Sequence, residues 1–198
     1  MGLRVAFPNA YPTGYMDRGG RGTRRPGAFP LAAHAAGLLV RTESEVRNFR
    51  AVVSGITTET WRQHVDPRAP VVEPVRAGRV LAEIASDHDL TVFAHYDTDL
   101  AGHGRDLHRG VVAIERVDAF LGGLVQHLPS DLLLLVTSDH GNLEDTTVGH
   151  TSNDVPLLTV GVGGPAAVER IRSIREVTPF VLDLLESRAG RTSLMGSG

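Results

Sequence analysis

The 198-residue sequence contains no cysteine. This excludes disulfides, thiolate metal sites and a cysteine nucleophile, and it fits a cytoplasmic location, where thiols stay reduced. The sequence also lacks any apolar run approaching about eighteen residues, and its opening segment MGLRVAFPNAYP is not continuously apolar, so we expect neither a membrane span nor a signal peptide. The formal net charge is −3, which gives no indication of a nucleic-acid partner or an anionic membrane.

Histidine is unusually frequent: the sequence has nine, and most of them lie between residues 88 and 150. Two groups of side chains in this region are candidate metal ligands. They are the pair Asp99 and His103, and the later group Asp139, His140 and His150. Carboxylates and neutral imidazoles bind divalent ions such as Zn²⁺ and Mn²⁺. The alternative is five unrelated loop residues, because polar side chains and glycine are also the ordinary material of turns.

Apolar strand-like runs alternate with helical patterns along the chain. Strands are predicted at 3–7, 90–96, 131–137 and 155–164, and helices at 31–39, 42–56, 75–85, 108–128 and 177–187. Thr42 and Glu45 form a capping box at the start of the second helix. The alternation predicts an α/β fold with a mostly parallel sheet and helices on both faces.

Both groups of candidate ligands lie in predicted loops, at 96–109 and 138–154, each directly after an apolar strand. Functional groups of such folds gather beyond the carboxyl ends of the strands, so the placement favours convergence over chance. We expect residues 1–188 to form a single α/β domain, with 27–86 in part a cap-like segment. Residues 189–198 are expected to be a flexible tail.

The segments TDLAGH, TSDHGN and GHTSNDVPLL resemble the metal-binding motifs of the alkaline phosphatase superfamily. They are most similar to the branch that contains cofactor-independent phosphoglycerate mutase and phosphopentomutase. The resemblance implies that Asp99, His103 and His150 bind one metal ion, and that Asp139 and His140 bind a second. It further implies two divalent cations, Mn²⁺ or Zn²⁺ ahead of Mg²⁺, and a small phosphorylated substrate. The chemistry implied is two-metal phosphoryl transfer through a serine or threonine nucleophile.

The beginning of the sequence departs from this family. No Asp-Gly follows a first strand, and no serine or threonine stands at a strand-to-helix corner before Asp99. The nucleophile is therefore not identified, and the second metal site is incomplete. We expect that the chain lacks the family's N-terminal portion, either as a truncated gene product or as one half of a split enzyme completed by another polypeptide. Without its first strand the sheet would expose an edge, which favours pairing with a partner or with a second copy of the chain. Two alternatives stay open: a noncatalytic metal-binding or scaffold remnant, and a hydrolase of phosphodiesters or sulfates.

Other polar residues have a functional and an ordinary interpretation. A glycine- and proline-rich loop carries Arg18, Arg21, Arg24 and Arg25. A guanidinium matches a phosphate in bidentate fashion, so this cluster is a candidate substrate site, although a solvated loop explains it better. His95, Asp97 and Glu144 could hydrogen-bond the metal ligands. We favour a strand-end role for His95 and loop-closing or solvated roles for the two acidic residues.

Overall fold

The computed structural model describes residues 2–17 and 26–195, and side chains as far as residue 188. The chain divides into two compact units. The N-terminal unit consists of Leu3–His127 and Asn142–Gly149, and the C-terminal unit of Met1–Gly2, Leu128–Gly141 and His150–Gly198. The predicted single domain over 1–188 and the cap-like segment over 27–86 stay predictions.

The strands of the N-terminal unit are short and parallel. Strand β1 (Val5–Ala6) pairs with β2 (Leu90–Thr91), with Val5 opposite Leu90. Beyond β1, Asn9 and Ala10 form isolated parallel bridges to residues 52 and 41. The parallel pairing, together with the helices below, confirms the predicted α/β class.

The described residues of the N-terminal unit form six helices. They are α1 (Ala28–Ala35), α2 (Glu43–Arg47), α3 (Glu59–His64), α4 (Pro74–Ser86), α5 (Asp97–His103) and α6 (Leu107–Gln126). The capping box at Thr42 is confirmed, since its backbone N–H donates to Glu45 Oε2 at 2.8 Å. Helices α4 and α6 are also confirmed, whereas α3 was not predicted.

Helices α4 and α6 approach each other closely through glycine. A Cβ atom added at Gly78 would lie 2.1 Å from the carbonyl oxygen of Phe120, and one at Gly123 would lie 2.2 Å from that of Val75. The two backbones are therefore in contact with no side chain between them. On α6, Phe120 also meets Phe93, which follows β2, with ring centroids 5.4 Å apart. Helix α6 thereby supports the segment that leads into α5.

The C-terminal unit contains β3 (Leu133–Thr137) and β4 (Leu157–Gly161), which confirm two predicted strands. They pair in antiparallel fashion, with Leu133 opposite Gly161. A mostly parallel sheet was predicted, whereas these two strands are antiparallel, and β3 is half-buried. The described connection between them, residues 138–156, contains no crossover helix of the kind that usually joins parallel strands.

Helices α7 (Gly164–Arg170) and α8 (Val177–Met195) follow β4, with a 3₁₀ turn at Ile174–Glu176 before α8. The core of this unit is made by the two helices and the inward side chains of the strands. Its buried members are Ala167, Ile171 and Phe180, packed against Leu133, Leu135, Leu157, Val177, Val181 and Leu184.

The last predicted helix, at 177–187, is confirmed and is longer than predicted. Helix α8 continues through Met195. The flexibility expected of residues 189–198 stays a prediction. Within the residues that the structure describes, none of the helices has the length and apolar character needed to cross a membrane.

Candidate metal centre

Asp99 and His103 lie one turn apart on helix α5. The segment was predicted to be a loop, and this prediction was wrong, because the D-x-x-x-H spacing is itself the i, i+4 spacing of a helix. His103 Nε2 lies 3.5 Å from Asp99 Oδ1. Two ligands of a tetrahedral ion with bonds of about 2.0–2.2 Å stand roughly 3.4 Å apart. The pair therefore has the separation that two ligands of one cation need.

The start of α5 is held by an ion pair. Asp97, its first residue, accepts a hydrogen bond from Arg116 Nη1 at 2.9 Å, and the same guanidinium nitrogen lies 3.3 Å from the carbonyl oxygen of Gly55. A carboxylate at a helix N-terminus is also favoured by the helix dipole. Asp97 therefore attaches α5 to α6, which carries Arg116.

His95 lies just before α5 and is partly buried. Its Nδ1–H donates to the carbonyl oxygen of Ser54 at 2.8 Å, and its Nε2 is buried with no hydrogen-bond partner among the described residues. Burial lowers the pKa of His95 below its usual value, although the hydrogen bond to Ser54 opposes the shift. His95 is therefore a neutral residue that fixes the strand end to the segment at 54.

The burial of His95 predicts a pH-dependent stability. Below about pH 6.5 an unfolded chain protonates this histidine, whereas the folded chain resists protonation. The free energy of unfolding should therefore fall as the pH drops, by at most about 1.4 kcal/mol per pH unit from this group. Urea unfolding between about pH 5 and 7.5 checks this. His95→Asn should give a flatter profile than wild type, and an unchanged profile would contradict the assignment; exposed His34→Asn is the control.

Asn142 contacts α5, and sequence reasoning did not identify it. Its Nδ2 donates to Asp99 Oδ1 at 2.6 Å and lies 3.2 Å from the Asp99 carbonyl oxygen. The backbone N–H of Asn142 in turn donates to Glu144 Oε2 at 2.7 Å. Glu144 therefore closes its own loop, as expected. The one signal for Asn142 in the sequence was its place in the DHGN motif.

The C-terminal unit contains the remaining candidates. The rings of His140 and His150 stack with centroids 3.6 Å apart, and a ring nitrogen of each lies within 4.8 Å of the other. An antiparallel bridge between Gly141 and Thr151 brings these neighbouring residues together. Asp139 is exposed, and its Oδ1 lies 3.7 Å from His140 Nε2. Imidazole nitrogens and carboxylate oxygens of this kind are ligands that divalent cations such as Zn²⁺ and Mn²⁺ accept.

The hydroxyl group of Thr58 has a structural role. Thr58 is buried, and its Oγ1 donates to the carbonyl oxygen of Pro70 at 2.7 Å and accepts from the Val72 N–H at 2.9 Å. Thr58 is therefore not available as a nucleophile. The candidate phosphate-binding cluster of Arg18, Arg21, Arg24 and Arg25 lies outside the described residues.

Comparisons with known proteins agree with this chemistry. The sequence model of the metalloenzyme superfamily matches residues 71–186, more than half of the chain and a range that contains all five candidate ligands. The chain is 35% identical over 106 residues to a 2,3-bisphosphoglycerate-independent phosphoglycerate mutase of Desulforudis audaxviator, covering 50% of this chain and 21% of that protein. It is 36% identical over 123 residues to the enzyme of the same name from Rhodopseudomonas palustris, covering 57% and 24%.

Among solved structures, the PH0037 protein from Pyrococcus horikoshii has a similar fold. The TM-score is 0.56 at 18% sequence identity, over 93% of this chain and 49% of that one. At this identity the likeness concerns the fold alone. The chain spans about a quarter of the length of the two mutases, at 21% and 24%.

Proposed function

Because the chain belongs to the metalloenzyme superfamily, we propose that it binds divalent cations and serves metal-dependent phosphoryl transfer on a small phosphorylated substrate. The observation that carries this proposal is the Asp99–His103 pair on α5, with its two ligand atoms 3.5 Å apart. The substrate class is proposed from the two mutase relatives, whose names specify a phosphorylated three-carbon acid.

We assign the ligands as the sequence motifs imply. Asp99, His103 and His150 are proposed to hold one ion, and Asp139 with His140 to contribute to a second. Mn²⁺ or Zn²⁺ suits this set of imidazoles and carboxylates better than Mg²⁺, which prefers oxygen ligands and retained water. When bound, the cations would neutralise charge on the transferring phosphoryl group and lower the pKa of an attacking hydroxyl.

In this proposal the residues of this chain bind and orient the cations, and none of them forms a covalent bond with the substrate. The nucleophile and the further ligand of the second ion are proposed to come from outside the 198 residues. Their source would be additional residues of a longer chain or a complementing polypeptide, and a homo-oligomer stays a separate prediction. A cytoplasmic location also stays a prediction from the absence of cysteine.

Anion binding tests the proposed reaction class without requiring turnover. Inorganic phosphate titrated into the Mn²⁺-loaded chain should give measurable binding heat, because a cation with an open position takes a phosphate oxygen as ligand. After treatment with EDTA the heat should vanish. Sulfate should bind more weakly than phosphate; a preference for sulfate would instead support the sulfatase alternative. Equal phosphate binding with and without metal would contradict the proposal.

We also expect negligible activity from the chain alone on an aryl phosphate, because no nucleophile is identified in its sequence. The measurement is release of the aryl alcohol in the presence of Mn²⁺ or Zn²⁺, compared with the same buffer without protein. Substantial turnover that His150→Ala abolishes would show that the chain contains its own nucleophile, and our ligand-only role would then be wrong.

A further inference from the structure

Asn142 is a buried amide with both of its side-chain hydrogens directed at one residue. It is 5% exposed, and burial of an amide is unfavourable unless hydrogen bonds replace those lost to water. Its Nδ2 lies 2.6 Å from Asp99 Oδ1 and 3.2 Å from the Asp99 carbonyl oxygen. The amide therefore fixes the side chain of Asp99 relative to its own backbone.

The orientation of this amide is determined by its surroundings. Turning it over would place Asn142 Oδ1 against Asp99 Oδ1, and two acceptors at 2.6 Å repel each other. In the orientation described, Oδ1 is buried without a hydrogen-bond partner among the described residues and lies against Gly102. A Cβ atom at position 102 would stand 2.2 Å from it. Only glycine at this position of α5 leaves room for the amide.

Two further contacts hold the segment around Asn142 in place. The Asn142 N–H donates to Glu144 at 2.7 Å. Next to it, Leu143 packs so closely on α6 that a Cβ atom at Gly110 would stand 2.6 Å from Leu143 Cδ1. The hydrogen bond to Glu144 and the packing of Leu143 fix the backbone at Asn142. The side-chain amide therefore has a defined position from which to orient Asp99.

We propose that Asn142 is a positioning residue that holds the Asp99 carboxylate beside His103 so that the pair can bind a divalent cation. The inference rests on the proposed function, because a pair of metal ligands is what the geometry would serve. Oδ1 of Asp99, the atom that accepts from Asn142, is also the atom 3.5 Å from His103 Nε2. Without the amide, the carboxylate could rotate away from His103 into solvent. Metal binding would then have to order the carboxylate, and the loss of conformational entropy would weaken the affinity for the cation.

Calorimetric titration of Mn²⁺ into the metal-free chain tests the proposal. Asn142→Ala should raise the dissociation constant roughly tenfold or more, the usual effect of removing a hydrogen bond to a metal ligand. The matched control is Asn48→Ala, an exposed asparagine whose side chain donates to the carbonyl oxygen of Ser44, and it should bind as wild type does. Thermal unfolding in EDTA identifies any loss of fold.

Gly102→Ala provides a second route to the same result, because its Cβ would displace the amide while Asn142 itself is kept. It should also weaken Mn²⁺ binding roughly tenfold. The matched control is Gly122→Ala on α6, where an added Cβ meets nothing within 4 Å. If Asn142→Ala does not fold, comparison of Gly102→Ala with Gly122→Ala still tests the positioning role of Asn142.

A double-mutant cycle separates positioning from a general structural role. In an Asp99→Ala chain, Asn142→Ala should cause no further loss of affinity, because the carboxylate that it positions has gone. Equal losses in both backgrounds, or wild-type affinity in both Asn142→Ala and Gly102→Ala, would overturn the inference and leave the proposed function standing. A wild-type chain that binds no Mn²⁺ would overturn both.

Discussion

Gly78→Ala is expected to destabilise the chain by about 3 kcal/mol, because there is no room for a methyl group where α4 meets α6. The added Cβ would stand 2.1 Å from the Phe120 carbonyl oxygen and 2.6 Å from the Leu124 nitrogen. Both contacts are to backbone atoms, so no side chain can rotate away to relieve them. The two helices would have to separate, and the support that Phe120 gives to Phe93 would be lost.

Urea unfolding measures this effect, and Gly122→Ala is its control. Both substitutions replace a helical glycine by a better helix former, so their intrinsic propensity gain of up to about 1 kcal/mol is the same. At Gly122 the added methyl group has open space around it, and that variant should be as stable as wild type or more stable. If Gly78→Ala unfolds at the same urea concentration as Gly122→Ala, the close approach of α4 and α6 is incorrect.

His103→Ala and Asp99→Ala should each weaken binding of the tight cation roughly a hundredfold. The free energy of a structural zinc site, about 10–16 kcal/mol for four ligands, corresponds to about 3 kcal/mol per ligand, and each 1.4 kcal/mol is a factor of ten. Calorimetric titration with Zn²⁺ or Mn²⁺ checks this. The control is His34→Ala, which removes an exposed histidine of α1 that no motif includes.

Loss of affinity in both ligand variants and not in His34→Ala would support a specific site on α5. A similar small loss in all three would indicate nonspecific binding to surface imidazoles and carboxylates. Because His103 is half exposed, with a side-chain accessibility of 50%, its replacement should leave the fold intact, so affinity and stability can be read separately.

Local signals in the sequence were sufficient for much of the fold. The capping box at Thr42 and the helix predicted at 108–128 depend on residues within one or two turns, and the structure confirms both. The family resemblance rested on three short motifs and is confirmed by the match over 71–186. Helix α5 was missed because its seven residues are too few to show an apolar period.

Features that depend on residues far apart in the chain could not be predicted from local sequence patterns. The antiparallel pairing of β3 with β4 depends on the path of the residues between them, which no local pattern encodes. Asn142 was overlooked because its importance comes from Asp99, 43 residues earlier in the chain. Gly78 looked like an ordinary helical glycine, and only its contact with Phe120 shows why an alanine would not fit.

The central claim is that these aspartate and histidine side chains form a metal centre. Elemental analysis of the purified chain after exhaustive dialysis against metal-free buffer tests this claim most directly. We predict about one tightly bound Mn²⁺ or Zn²⁺ per chain, since one proposed site has three protein ligands, and a second ion that dialysis removes. A wild-type chain that retains no manganese, zinc or magnesium would contradict the account.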